Sequence, residues 1–295
     1  MLAHCDIDSS DVIKVRFSNM ASKNYDMLDA RAVELLLSMI ESHDPCYGFG
    51  NMTCAVYDTA WVSMITKPVG AHLQWLSPES FQYVLDSQDA SGGWSSDASE
   101  IDSILNTLAG LLALRKHAMT ACVSDRDTRP KGLVAKIYKA ATFLQDKLQT
   151  WDVASTIHVG FEILVPNLLD LHEKQGFVFD FPGRDLLMKI RDLKMTKIRP
   201  EMLYVNTSVT AIHSSEAFIN QIDFDRVAHH KIHGSMMASP SSTAAYLMHS
   251  SSWDHESEAY IRHVIASGPG KGDGSVPSAF PSTFFEISWV RSSPL

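Results

Sequence analysis

The stretch IDSILNTLAGLLALRKH, residues 101–117, decides the reading of the fold. Ile104, Leu105, Leu108, Leu111, Leu112 and Leu114 recur at helical spacing, and no Pro interrupts them. Working outward, Leu133–Leu148 repeats the pattern with Val134, Ile137, Tyr138, Ala141, Leu144 and Leu148 on neighbouring turns. Phe161–His172 is a third apolar helix, interrupted only by Pro166. Leu186–Leu193, Glu201–Ala211 and Glu216–Ile222 are shorter candidates. Pro240–Met248, His255–Ser267 and a final start at Pro281–Val290 follow. Toward the N-terminus, Leu28, Ala32, Leu35, Leu36 and Ile40 share one helical face, and Thr53–Met64 is helical up to the break before Pro68. Ser77 followed by Pro78 is an N-cap with proline at the first helical position, which predicts a helix over Pro78–Asp86.

The connections are turn-rich. SQDASGGWSSDASE (87–100), VSDRDTRPKG (123–132) and SGPGKGDGSVPSAFPS (267–282) read as loops or linkers. FVFDFP (177–182) reads as a short extended or hairpin-like piece, and no strand alternation of useful length occurs elsewhere. The fold class is all-α. Helix pairs of this size either close into a barrel or stack as a solenoid, and periodicity does not choose between them.

Composition narrows the function. The chain of 295 residues carries 25 Lys and Arg against 34 Asp and Glu, a formal charge of -9, which argues against a general nucleic-acid surface. It does not argue against a diphosphate ligand, because one cationic pocket overrides a net charge. No run of 18 apolar residues appears, so no membrane span is expected. The opening MLAHCDIDSSD resembles neither a secretory signal nor a transit peptide. Cys5, Cys46, Cys54 and Cys122 form no C-x-x-C pair, which fits reduced thiols in a cytoplasmic chain. His229, His230 and His233 lack a cysteine partner and an H-E-x-x-H frame, so no metal site is expected. GPGKGDGS is not a kinase-type phosphate loop.

Several segments stand out from this helical background. Ala55, Val56, Tyr57, Asp58, Thr59, Ala60, Trp61 and Val62 form the first, and Gln88, Asp89, Gly92, Gly93 and Trp94 the second. Gly160, Phe161, Glu162, Pro166, Leu168 and Leu169 form the third. Arg191, Asp192, Lys194, Thr196, Lys197 and Ile198 follow, then Gly234, Ser235, Ser239, Pro240, Thr243 and Ala244. Val276, Pro277, Phe280, Pro281, Phe285, Glu286 and Trp289 come last. In this order they resemble the N-terminal part of the class II diterpene cyclases, the copalyl-diphosphate-synthase-like enzymes that include bifunctional fungal ones. The resemblance runs over about residues 25 to 290.

The resemblance implies a double α/α-barrel in which a γ domain is inserted into a β domain. On this chain 1–65 is then the first part of β, 66–214 is γ, and 215–295 continues β. It implies geranylgeranyl diphosphate as the ligand and magnesium as the cofactor of the intact enzyme, with no tightly bound ion expected here. The class II reaction protonates the terminal alkene, lets the cation close a bicycle, and ends when a base removes a proton; the diphosphate is kept. Such chemistry needs a carboxylic acid held protonated in a dry cavity, helped by neighbouring carboxyls. It also needs aromatic faces along the cation's path and cations or magnesium at the diphosphate.

The family's acid lies in an Asp-x-Asp-Asp motif downstream of the Phe285–Trp289 segment. This sequence contains no Asp-Asp dipeptide, and Asp6/Asp8 and Asp223/Asp225 are look-alikes in the wrong place. No catalytic residue is therefore assigned, and the chain is expected to be inactive alone. The last residues, RSSPL, read as the end of a truncated gene product; the alternative is a short protein that pairs with another chain covering the unfinished β domain. A non-catalytic scaffold or a prenyl-diphosphate-binding module are the other readings. His158 is the candidate for holding a water that acts as base. Lys194 and Lys197 are candidates for the diphosphate, on a shared helix face, and Trp61 and Trp94 for the cation. Tyr57, Asp58, Gln88, Asp89, Glu162, Phe285, Glu286 and Trp289 are family-motif positions expected to be mostly structural.

Overall fold

The computed structural model describes residues 27–41, 43–44, 48, 50, 52–120, 132–207 and 209–282. The chain divides into two compact units, Met1–Asn51 with Pro281–Leu295, and Met52–Phe280. In the first, helix α1 (Met27–Glu41) forms as the spacing predicts, though Leu35 and Leu36 stand exposed.

The larger unit begins with α2 (Val56–Ser63), which is followed by a hairpin of β1 (Thr66–Val69) and β2 (His72–Trp75). The hairpin pairs antiparallel, with Thr66 opposite Trp75 and Val69 opposite His72. This corrects the expectation of no strands outside 177–182. Its exposed strands hold too few residues to show alternation, and Pro68 sits on the two-stranded ribbon where a missing N–H is tolerated.

Next come α3 (Pro78–Asp86), α4 (Glu100–Met119), α5 (Leu133–Thr150), α6 (Phe161–Lys174) and α7 (Arg184–Met195). Ser77 caps α3 as expected, its hydroxyl accepting from Ser80 N at 3.2 Å with Pro78 at the first helical position. The 101–117 stretch becomes the axis of this unit. Ile104, Leu108, Leu111 and Leu114 are fully buried, and α4 packs against α2, α5 and α6. Near its end, His117 lies between Trp75 and Phe81 with ring centroids 3.6 and 3.5 Å away.

The segment 177–182 is extended but pairs with no strand. Phe179 and Phe181 point inward, while the Asp180 carbonyl accepts from the side chains of Gln145 and Gln149 on α5, each at 2.7 Å. Side chains thus satisfy an acceptor that a partner strand would otherwise take.

Beyond α7 the expected helices over 201–211 and 216–222 are replaced by 3₁₀ segments, Pro200–Tyr204 and Thr210–Phe218, the latter kinked at Ser214. The intervening VNTSV carries β-branched residues, Asn and Ser, which disfavour a continuous helix. A third 3₁₀ segment, Phe224–His230, leads into a minimal hairpin of β3 (Lys231–Ile232) and β4 (Ser235–Met236). Then α8 (Pro240–His249) and α9 (His255–Ser267) follow, capped by Ser239 and Asp254. The glycine-rich loop after α9 returns to the start of α2, where Ala55 N donates to Val276 O at 2.9 Å. Among the described residues no helix is long and apolar enough to cross a membrane. The all-α reading holds, with two small hairpins added.

Candidate functional site

Where α2, α4 and the loop before α6 meet, the larger unit opens a cleft of about 520 Å³. Tyr57 and Asp58 line one side and Asp102, Leu105 and Asn106 another, and His158, Leu164 and Ser278 are also among the lining residues. A second cleft of about 430 Å³, between Ile101, Trp151, Thr156 and Ile157, shares Asp102 and His158 with the first.

The first side is built by helix packing. The DTAWVS run of α2 is buried, because α2 is covered by α3, α4 and α8. That buries Asp58, which is 4 % exposed, beside Glu216 of the second 3₁₀ segment, which is 2 % exposed. The Glu216 carboxylate accepts from Ser242 Oγ at 2.7 Å, Tyr57 Oη at 3.2 Å and Ser241 Oγ at 3.4 Å. Its backbone carbonyl accepts from Asn167 Nδ2 of α6 at 2.9 Å. Burial pushes the Asp58 carboxyl up to about 7, the Glu216 charge pushes the same way, and a Ser241 hydrogen bond opposes both. Burial also raises Glu216, against the Ser242 hydrogen bond and the nearby His213 ring. The Tyr57 phenol is held well above its ordinary value by burial of its hydroxyl end and by the two carboxyls, although part of its ring faces the cleft.

Across the cleft, Asp102 stands in the first turn of α4, and Ser99 Oγ donates to its carboxylate at 2.7 Å. His158 Nδ1 lies 3.6 Å from the other Asp102 oxygen, and the imidazole is 40 % exposed. Sequence reading picked out His158 but not its partner. The one available signal was an acidic residue in a helix's first turn, which ordinarily marks only a favourable dipole contact.

The other expected site residues fall elsewhere. Trp94 is buried: its indole N–H donates to Val84 O at 3.0 Å and its ring lies beneath Gly110. Trp61 is also buried, and its indole nitrogen makes no hydrogen bond of good geometry while lying close enough to favour the Tyr57 phenolate. Neither tryptophan lines either cleft. Lys194 Nζ pairs with Glu162 Oε1 at 2.7 Å, and Glu162 Oε2 accepts from Gly160 N at 3.0 Å, so Glu162 joins the start of α6 to the end of α7. Lys194 and Lys197 do not share a helix face, because α7 ends at Met195. Neither lysine lines a cleft.

Gln88 donates to Gly92 O at 2.6 Å and Lys136 O at 3.0 Å, and Asp89 gathers the hydroxyls and N–H groups of Ser91 and Ser95. Desolvation pushes the Asp89 carboxyl up, but these donors together outweigh it and hold the carboxyl near 2. Phe285, Glu286 and Trp289 lie outside the described residues. Among the described residues no group of three or more His, Cys, Asp or Glu is arranged to hold a metal ion.

No protein-family model matches the chain. Its fold is similar to ent-copalyl diphosphate synthase from Arabidopsis thaliana, solved with (S)-15-aza-14,15-dihydrogeranylgeranyl thiolodiphosphate, at a TM-score of 0.66 and 26% identity over 82% of this chain and 33% of that one. It is similar to abietadiene synthase from Abies grandis at a TM-score of 0.67 and 25% identity, over 88% of this chain and 32% of that one. A mainly helical body of this kind is an α/α-barrel terpene cyclase fold.

Curated relatives narrow the class. The chain is 50% identical over 268 residues to a copalyl diphosphate synthase of Talaromyces verruculosus, covering 91% of this chain and 28% of that one. It is 48% identical over 265 residues to a phyllocladan-16-alpha-ol synthase of Phomopsis amygdali, covering 90% and 26%. By sequence and by fold the chain is similar to class II diterpene cyclases over most of its own length. It spans about a quarter of the length of the curated relatives it matches.

Proposed function

We propose that this chain is the part of a class II diterpene cyclase that holds the hydrocarbon chain of geranylgeranyl diphosphate, and that it does not cyclise that substrate alone. The cleft bounded by Tyr57, Asp58, Leu105, His158 and Leu164 is the single observation that carries this reading. Apolar side chains take a prenyl chain, the Tyr57 ring offers a π-face to positive carbon, and His158, held by Asp102, is placed to orient a water that accepts a proton. The division into β (1–65 and 215–295) and γ (66–214) belongs to the same proposal.

Proton donation is the missing function. Asp58 meets one demand, since burial keeps it protonated near neutrality. It stands outside an Asp-x-Asp-Asp motif, which this sequence does not contain.

Titration calorimetry with geranylgeranyl diphosphate tests the binding part. Saturable binding to the purified chain, weakened at least about tenfold by Leu105→Glu in the cleft wall, is expected. No binding, or binding indifferent to that change, contradicts it.

A further inference from the structure

Asp58 and Glu216 are two buried carboxyls, 4 % and 2 % exposed, and Asp58 also lines the cleft. Isolated buried carboxylates are costly, and two beside each other more so. The hydroxyls of Tyr57, Ser241 and Ser242 all converge on Glu216 and suit one negative charge there, leaving the neighbouring Asp58 to hold a proton. The elements joined at this point are α2 through Tyr57 and Asp58, the 3₁₀ segment through Glu216, α6 through Asn167, and α8 through Ser241 and Ser242. The titratable groups facing the pair are Tyr57 on α2 and His213 on the 3₁₀ segment, whose Nδ1 lies 2.9 Å from Met237 O. Asn167, Ser241 and Ser242 do not titrate.

We propose that Asp58 and Glu216 form a proton-dependent lock beside the cleft: with one proton between them they hold α2 against the 3₁₀ segment and α8, and loss of that proton loosens the junction. The lock holds whether or not the cleft takes a prenyl chain. The raised carboxyls fix the sign. In the unfolded chain an aspartate loses its proton near about pH 4, whereas the folded pair keeps one until about pH 7. Across that window the folded state binds more protons, so stability falls as pH rises, and it levels off above the window.

The test is urea unfolding of the full chain between about pH 5 and about pH 8.5, for the wild type, Asp58→Asn, Glu216→Gln and His213→Asn. The wild-type folding constant is expected to fall about tenfold per pH unit more steeply than that of either carboxyl variant below about pH 7. His213→Asn is expected to keep the wild-type slope; its loss there assigns the titration to the imidazole and overturns the proposal. So does a wild-type slope retained in both carboxyl variants. Should the variants fail to fold, infrared difference spectra of the wild type across the same range decide. A protonated-carboxyl stretch present at neutral pH and lost on alkalinisation is expected, and its absence at neutral pH overturns the lock.

Discussion

At the scale of single residues, motif positions divide into those that face a cleft and those that hold the walls. Trp94 belongs to the walls. A Cβ added at Gly110 would sit 2.7 Å from the Trp94 ring, closer than real side chains approach. The ring cannot retreat, since it is 2 % exposed and its indole N–H is tied to Val84 O. Gly110→Ala is therefore expected to destabilise the chain by about 2 kcal/mol; thermal unfolding that matches the wild type within error would contradict this packing. Gly92, at φ +99°, and Gly93 serve the same loop, with Lys139 and Phe143 of α5 lying where their Cβ atoms would go. The QDASGGW pattern was legible as a motif, and its glycines as turn positions. Its role was not legible, because the partners Lys136, Lys139 and Phe143 lie on a helix some fifty residues on (48 from Gln88 to Lys136).

The buried carboxyl pair beside the cleft was less legible still. Tyr57 and Glu216 are 159 residues apart, and nothing local marks an acid that the fold will enclose. Glu162 shows the same limit in milder form. Its place in the first turn of α6 is readable, whereas its charge partner Lys194 is set by how α7 packs back.

At the scale of elements, long amphipathic helices were readable from spacing alone, and α4, α5, α6 and α9 follow it closely. Burial agrees with the pattern at Ile137, Leu144 and Leu148 of α5, whereas Val134 and Tyr138 of the same pattern stand exposed. The errors fall where backbone polar groups are satisfied by other means. The hairpin of β1 and β2 is short, exposed and holds Pro68, so it shows no alternation. The segment 177–182 does alternate, yet it forms no ladder because glutamines of α5 take its Asp180 acceptor. This gives a prediction at the same scale. Replacing Gln145 and Gln149 together by Ala is expected to cost about 1 kcal/mol and to speed amide exchange over 177–182 while leaving α4 protected. Unchanged exchange in that segment would show that phenylalanine burial alone fixes it.

For the whole molecule, the double-barrel expectation came from motif order rather than from periodicity, which left barrel and solenoid open. The likeness to two cyclase structures, at TM-scores of 0.66 and 0.67, decides for the α/α-barrel. The cleft needs side chains from residues as distant as Tyr57 and Ser278, so only the assembled unit makes it. The sequence contains no Asp-x-Asp-Asp motif, and burial raises the Asp58 and Glu216 carboxyls. The most direct measurement is incubation of the purified chain with geranylgeranyl diphosphate and magnesium, followed by phosphatase treatment and mass spectrometry of the alcohols. Only geranylgeraniol, with no bicyclic alcohol, is the predicted result. A bicyclic product that disappears in Asp58→Asn or Glu216→Gln would contradict the account, since a carboxyl of this chain would then be the proton donor.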